Sequence, residues 1–295
     1  MKMILAVSGG VDSMVMLDMF LRKFPRSEIA VATFDHGARE SSKTDADFVE
    51  KSANFSEVQP ALRSRFYRGE APKSDKISES EARRLRYDFL RRVAFREKGE
   101  IFVAQHVDDL VESVAINLVR GTGIRGLAPM TRIGVRRPFL DGFFNPREYG
   151  FSMFDKRAIL KYAAEHEVKF RQDPTNTTDD YLRNRIREKL REMPEGEKMK
   201  IFELWKKQKQ IVREIDEIVE NVLPEDLKFS REEFFSLERD VAIEIIRGGL
   251  ERAGVSATRP QMDEFLAAIL NYQPGKWFNL PENRLVKINK RDFKL

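Results

Sequence analysis

The chain has no cysteine, and with it go disulfide bonds, thiolate zinc sites and iron–sulfur ligation. A sulfur relay through its own residues is excluded as well. No run of about 18 apolar residues is present to cross a bilayer. The first apolar stretch, Met3 to Val7, is too short for a signal peptide and ends in a glycine turn, so a cytoplasmic protein is expected. Neither G-x-x-x-x-G-K-S/T nor G-x-G-x-x-G occurs, which rejects the lysine-bearing phosphate loop and the dinucleotide fingerprint. Internal repeats and low-complexity tracts are missing too. Charge of one sign is only slightly in excess: 53 basic against 48 acidic residues leave +5, too little by itself to identify a nucleic-acid partner.

What is present starts at the N-terminus. With 41% hydrophobic residues over 295 positions, the chain is globular, with room for one large core or two domains. Met3 to Val7 has the length and composition of a buried parallel strand. It runs into Ser8-Gly9-Gly10-Val11-Asp12-Ser13, after which Met14, Leu17, Met19, Phe20 and Leu21 fit a helix packed on that strand. Glycines let backbone amides approach an anion, and a helix start adds about half a positive charge. A phosphate or pyrophosphate suits such a nest. Ser8, Gly9, Gly10, Val11, Asp12 and Ser13 are therefore the candidate nucleotide-binding residues.

A second apolar run, Ile29 to Phe34, ends at Asp35-His36-Gly37-Ala38-Arg39. A crossover helix returns this strand's C-terminal end to the edge where doubly wound sheets bind ligands, so His36 and Arg39 are candidates to line the site. Residues 43–53 read as a helix, a short strand is expected near Ala61–Tyr67, and a helix capped by Ser78 or Ser80 runs to about Lys98. Arg83 and Arg86 share a face of that helix and suit a triphosphate or an RNA backbone.

Ile101 to Ala104 is the next buried strand, leading into Gln105, His106, Val107, Asp108, Asp109 and Glu112. A helix from Asp109 sets Asp108, Asp109 and Glu112 on nearly one side, and carboxylates so close require a cation, either Mg²⁺ or an amine. Gly121, Gly123 and Gly126 end that helix in a compact loop carrying Arg120 and Arg125. Arg136 to Leu140 reads as extended, and residues 153–166 as a helix closed by His166. Asp173-Pro174-Thr175-Asn176 is a turn ahead of a strongly basic helix from Tyr181. Arginines at 83, 84, 86, 91 and 92, at 183, 185, 187 and 191, and lysines at 206, 207 and 209 form three basic clusters, which together favour a polyanion. Pro194-Glu195-Gly196 marks the expected boundary between domains 1–195 and 196–295. Beyond it, helices are predicted over 197–221, 231–253 and 259–271, then a hairpin of Trp277–Leu280 and Arg284–Ile288.

The glycine string at the first strand-to-helix junction resembles the PP-loop ATP pyrophosphatases. In order along the chain, Ser8–Ser13, Asp35–Arg39, Ala82–Tyr87, His106–Asp109 with Glu112, Arg120–Leu127, and Asp173–Asn176 before Arg183–Arg187 together resemble the tRNA(Ile)-lysidine synthetase family, over about residues 1–190. The resemblance implies an α/β, doubly wound, mostly parallel sheet in a PP-loop (Rossmann-like) catalytic domain. A smaller, mainly helical tRNA-contacting domain with a terminal hairpin would follow. It implies an ATP-dependent carbon–nitrogen ligase that joins lysine to C2 of the wobble cytidine (C34) of a CAU anticodon through an adenylated cytidine, releasing AMP and pyrophosphate. Its partners would be ATP, Mg²⁺, L-lysine and tRNA(Ile), and the resemblance allows a homodimer. Two departures stand out. Gln105 sits where many members carry a second histidine, and many have a further C-terminal domain for which this chain has no room, so the short form is expected.

On that resemblance Asp12, His106, Asp108, Asp109, Glu112 and Arg83 are the catalytic candidates. Ser8 to Ser13, His36 and Arg86 would bind nucleotide, Asp12 and Asp109 Mg²⁺, and Arg120, Arg125, Arg183, Asn184 and Arg187 the tRNA. The residues alone leave three rivals: another PP-loop adenylating ligase acting on a small metabolite, a nucleotide-binding protein without catalysis, and a plain basic RNA-binding protein, which would leave the phosphate loop unexplained.

Overall fold

A computed structural model describes residues 1–35, 42–53, 65–72, 79–131, 134–171 and 181–295. Strands β1 Lys2–Ala6, β2 Ile29–Asp35, β3 Arg65–Glu70, β4 Gly99–Val103 and β5 Val135–Arg136 make one sheet in the order β3-β2-β1-β4-β5. Every neighbouring pair in it is parallel. Each of the first four strands is followed by a crossover, with α1 Val11–Lys23, α2 Ser42–Ala53, α3 Glu79–Glu97 and α4 Val107–Val119 in turn; α5 Lys156–Glu165 and α6 Tyr181–Arg191 follow β5.

The pleat of β1 explains why both sheet faces are covered. Met3, Leu5 and Val7 point to one side, into a core with Val15, Leu17 and Phe20 of α1 and Ile159 and Tyr162 of α5. Ile4 points the other way, to Tyr87, Leu90 and Val93 of α3. A central strand buried on both faces must read as an unbroken apolar run, as this one does. Aromatic edges lock the first core: the Phe20 ring meets Phe102 at 5.0 Å and Phe144 at 5.1 Å, both edge-on.

The chain builds outward from β1 to β3, then crosses back to lay β4 on β1's other side. This reversal leaves a crevice at the C-terminal ends of β1 and β4, the place where such sheets bind ligands. Helix α3 runs antiparallel to the strands. Its last residue, Glu97, receives Arg65 at the start of β3, so Arg83 and Arg86, in its first half, lie toward the crevice edge.

Two compact units divide at Lys206/Lys207, inside α7 Glu195–Val222, rather than at the Pro194-Glu195-Gly196 turn expected from the sequence. The reason is packing: Met199, Phe202 and Trp205 join Leu110, Val114 and Leu190 in the core of the first unit. In the second unit, α8 Arg231–Ser236, α9 Arg239–Arg252 and α10 Arg259–Asn271 pack on one face of an antiparallel sheet. Its strands are β6 Lys228–Ser230, β7 Lys276–Leu280, β8 Arg284–Ile288 and β9 Asp292–Lys294, in the order β6-β9-β8-β7. The predicted hairpin is β7–β8; two three-residue strands, too short to show alternation, complete the sheet. The single helix predicted over 231–253 is two, because Leu237 and Glu238 are extended. No helix among the described residues is long and apolar enough to cross a membrane.

Candidate active site

The loop after β1 takes its shape from its own serines. Ser13 Oγ accepts from the Ser8 amide at 3.1 Å and donates to the Gly10 carbonyl at 2.9 Å. Gly9 has φ +89°, a conformation that an L side chain strains. Gly10 differs: it is extended at φ −72°, and a β-carbon there would meet nothing closer than Ser8 Oγ at 3.7 Å. Nothing among the described residues requires glycine at that position. Gly10 is also the N-cap of α1, and among the described residues no side chain caps the helix's first amides. Val11 and Ser13 are buried, and the Asp12 carboxylate stays part-exposed.

The loop after β4 delivers His106 to the same crevice. His106 is buried and is the N-cap of α4: its Nδ1 accepts from the Asp108 amide at 3.2 Å, while the Asp109 carboxylate accepts from the His106 amide at 3.0 Å. An Nδ1 that accepts places the proton of the neutral ring on Nε2. That nitrogen lies 3.5 Å from Asp12 Oδ1 and 3.6 Å from Asp109 Oδ2. Burial pushes the imidazole pKa down, but Asp109, Asp108 and Asp12 outweigh it and hold the pKa above the ordinary value. A second proton, on Nδ1, would come at the expense of the cap.

Three cations absent from the sequence reading complete the site. Lys156, the first residue of α5, sets Nζ 2.6 Å from Asp12 Oδ1 and donates its amide to Asp108 Oδ2 at 2.7 Å. Lys198 of α7 is buried with its Nζ 2.5 Å from Asp108 Oδ1 and 3.5 Å from Asp155 Oδ2. Burial would raise the Asp108 pKa; His106, Lys198 and the Lys156 amide reverse that and hold it well below the usual carboxylate range. Arg137 donates to Gln105 at 2.8 Å, so the residue standing in place of a second histidine fixes a guanidinium. Asp155 had a local signal, since it caps α5 through the Ala158 amide at 2.9 Å. Lys156 and Lys198 had none, because their partners lie 144 and 90 residues away.

The carboxylates expected to share one cation are thereby separated. Asp108 turns to Lys198, Glu112 is buried against Arg187 of α6 at 2.7 Å, and Asp109 keeps to the His106 ring and amide. Arg83 and Arg86 both lie over the Tyr87 ring at 5.5 Å, and burial lowers the Arg86 pKa. Arg120 is exposed at the end of α4. Arg125 sits in a short turn beyond it, where the Asn117 side chain donates to the Gly126 carbonyl at 2.9 Å. A β-carbon on Gly126 would strike Thr122 Oγ1, so this loop closes only around glycine. Arg183 and Asn184 belong to α6; their side chains, together with His36, Arg39 and Asp173–Asn176, lie outside the described residues.

Metal fit follows from donor chemistry. Among the described residues no three His, Cys, Asp or Glu side chains are grouped to hold a metal alone. Asp12 and Asp109, converging on one imidazole nitrogen, make a two-carboxylate set. Mg²⁺ takes one or two carboxylates with phosphate oxygens and water, so this set fits it when a nucleotide supplies the remainder.

The family described as PP-loop domain matches residues 1–194. The chain belongs to the PP-loop family. Among curated proteins it is similar to a tRNA(Ile)-lysidine synthase of Thermotoga maritima, 37% identical over 199 residues, covering 63% of this chain and 44% of that protein. It is similar also to a tRNA(Ile)-lysidine synthase of Bdellovibrio bacteriovorus, 34% identical over 194 residues, covering 63% of this chain and 55% of that one. The chain thus matches about half the length of these relatives. Among solved structures, a U34-tRNA thiolase, NcsA, of Methanococcus maripaludis shares the PP-loop fold with TM-score 0.53 at 18% identity, over 71% of this chain and 72% of that one.

Proposed function

We propose that this PP-loop protein is a tRNA(Ile)-lysidine synthase: an ATP-dependent ligase that joins lysine to C2 of the wobble cytidine in a CAU anticodon. One observation carries most of the reading. At the sheet's switch point the uncapped start of α1 is ringed by Lys156, His106, Asp12 and Asp109, an arrangement suited to a nucleotide's phosphates and their cation. The lysidine synthase relatives supply the substrate class.

ATP would rest its phosphates on the Ser8–Ser13 loop, with Gly10 left bare for close approach. Mg²⁺ held between Asp12 and Asp109 would offset charge on the phosphate oxygens. The cytidine C2 oxygen attacks the α-phosphorus, and the bond to pyrophosphate breaks. Lys156, whose Nζ already sits at Asp12, follows the charge that develops on the leaving group. Lysine's ε-amine then attacks C2, AMP departs with the former C2 oxygen, and the amine gives up a proton. Asp109 is the carboxylate of the three that carries no lysine or arginine among the described contacts, so it receives the ammonium and takes that proton. It serves metal and amine in turn, because the two steps are separate. Arg83, Arg86, Arg120, Arg125, Arg183, Asn184 and Arg187 would meet triphosphate and RNA, and the reaction belongs to the cytoplasm. The wobble base lies in a single-stranded loop, so turning it into the crevice costs little.

The test mixes protein, ATP, Mg²⁺, radiolabelled lysine and unmodified tRNA bearing CAU. Lysine should appear in the cytidine with one AMP and one pyrophosphate per event, and initiator tRNA should react poorly. Pyrophosphate release that needs neither tRNA nor lysine would overturn the reading. Release that survives Asp12→Ala would overturn the loop assignment.

A further inference from the structure

The second unit keeps its charges apart. Residues 207–275 hold nine basic and fourteen acidic side chains, whereas residues 276–295 hold six basic and two acidic. Those last residues supply β7, β8 and β9. The sheet's inner face, with Phe229, Phe293, Ile288, Val286 and Leu280, is buried against the helices. Its outer face is set by register. Lys228 of β6 stands opposite Lys294 of β9, and Trp277 of β7 opposite Lys287 of β8. The Ile288–Phe293 pairing then places Lys287 opposite Lys294, since antiparallel partners step in opposite directions. Lys228, Lys294, Lys287 and Trp277 therefore form one row across all four strands, at about 4.8 Å per strand.

This row works against the sheet that carries it. Like charges directly opposite one another are destabilising. Asp292, 3.1 Å from Lys228, offsets one end, and Lys287 lies 5.7 Å from the Trp277 ring centroid. Lysines on edge strands guard against unwanted pairing, which accounts for Lys228; β8 and β9 are interior strands, so that explanation does not reach Lys287 and Lys294. At the row's end Trp277 is 57% exposed and Leu285, beside it on the same face, 60%. A ladder of ammonium groups leading to a bare indole matches the chemistry of single-stranded RNA, whose phosphates follow a basic track while an unstacked base lies on an aromatic ring.

We propose that this outer face is an RNA-binding surface, with Lys228, Lys294 and Lys287 on the backbone and Trp277 stacking a base. It deepens the tRNA reading and rests on it for the identity of the RNA, yet its test needs neither ATP nor lysine. Affinity of the full chain for unmodified CAU-bearing tRNA, and for a single-stranded oligouridine, is measured against salt. The Lys287→Ala/Lys294→Ala variant should bind about ten-fold more weakly near 0.1 M salt, with the log–log salt slope smaller by about 1.4. Its thermal midpoint should rise, because repulsion has been relieved; weaker binding by a more stable protein separates lost contact from misfolding. RNA should also quench tryptophan fluorescence in the parent and not in Trp277→Phe, where only buried Trp205 remains. An unchanged salt slope and an unchanged quench would overturn the surface, leaving lysidine formation by the parent unaffected. Loss of RNA affinity in a chain that makes no lysidine would overturn the ligase reading and uphold the surface.

Discussion

Lys198, with 4% of its side chain exposed, reaches over ninety residues of sequence to place its ammonium 2.5 Å from Asp108. The Asp108 carboxylate in turn accepts from the Lys156 amide, and the Asp108 amide donates to His106 Nδ1, so one buried cation underlies both groups that face Asp12. Removing one member of a buried pair leaves an uncompensated charge. Lys198→Met should therefore destabilise the protein by about 3 kcal/mol in urea unfolding, and Lys198→Met/Asp108→Asn should recover part of that loss. A fully additive double variant would show that the two do not act as a pair.

The two loop glycines should answer oppositely to alanine. At Gly9 the positive φ makes Gly9→Ala cost about 1–2 kcal/mol of stability. At Gly10 the backbone is already extended and the space is open, so Gly10→Ala should leave stability the same or slightly higher. Its defect should be in ATP binding alone, with KM raised about ten-fold, a change of about 1.4 kcal/mol. Steady-state pyrophosphate release and urea melts on both variants check this.

Lys156→Met should lose the cation at Asp12 without emptying the core, since its side chain is only half-buried. Pyrophosphate release should fall by about 10²-fold, the scale set by removing one donor to developing charge. Lys156→Arg should restore part of it. Equal activity in Lys156→Met would remove this residue from the reaction.

At the opposite edge of the sheet Glu97, 7% exposed, accepts from Arg65 at 2.8 Å and from the Tyr67 hydroxyl. Burial would raise its pKa; Tyr67 and Arg65 overcome that and hold it below the ordinary value. A depressed folded-state pKa gives stability that is present above about pH 4.3, the unfolded value, and lost as pH falls through the folded one. The stability gap between parent and Glu97→Gln should thus be widest near neutrality and close on acidification. Urea midpoints from pH 7 to pH 3 measure it.

The first unit's fold was legible because β1, β2 and β4 are buried on both faces and read as apolar runs, and because glycine follows the first of them directly. The helix predicted over 259–271 forms over those same residues, with Thr258 and Gln261 making its capping box. The strand expected near Ala61–Tyr67 forms at Arg65–Glu70, with its earlier part outside the described residues. The site was half visible. His106, Asp108 and Asp109 announce themselves because a strand end and a cap are local features. Lys156, Lys198 and the Arg137–Gln105 bond do not, because only the folded sheet brings their partners near. Nor did the carboxylate spacing on α4 show that Lys198 and Arg187 would claim two of the three charges.

The Arg171 amide donates to the Gly9 carbonyl at 2.9 Å, and Lys156 reaches Asp12 from 144 residues downstream. The loop after β1 is thus closed by residues more than 140 positions downstream, so its shape depends on the segment after β5 as much as on the strand it follows.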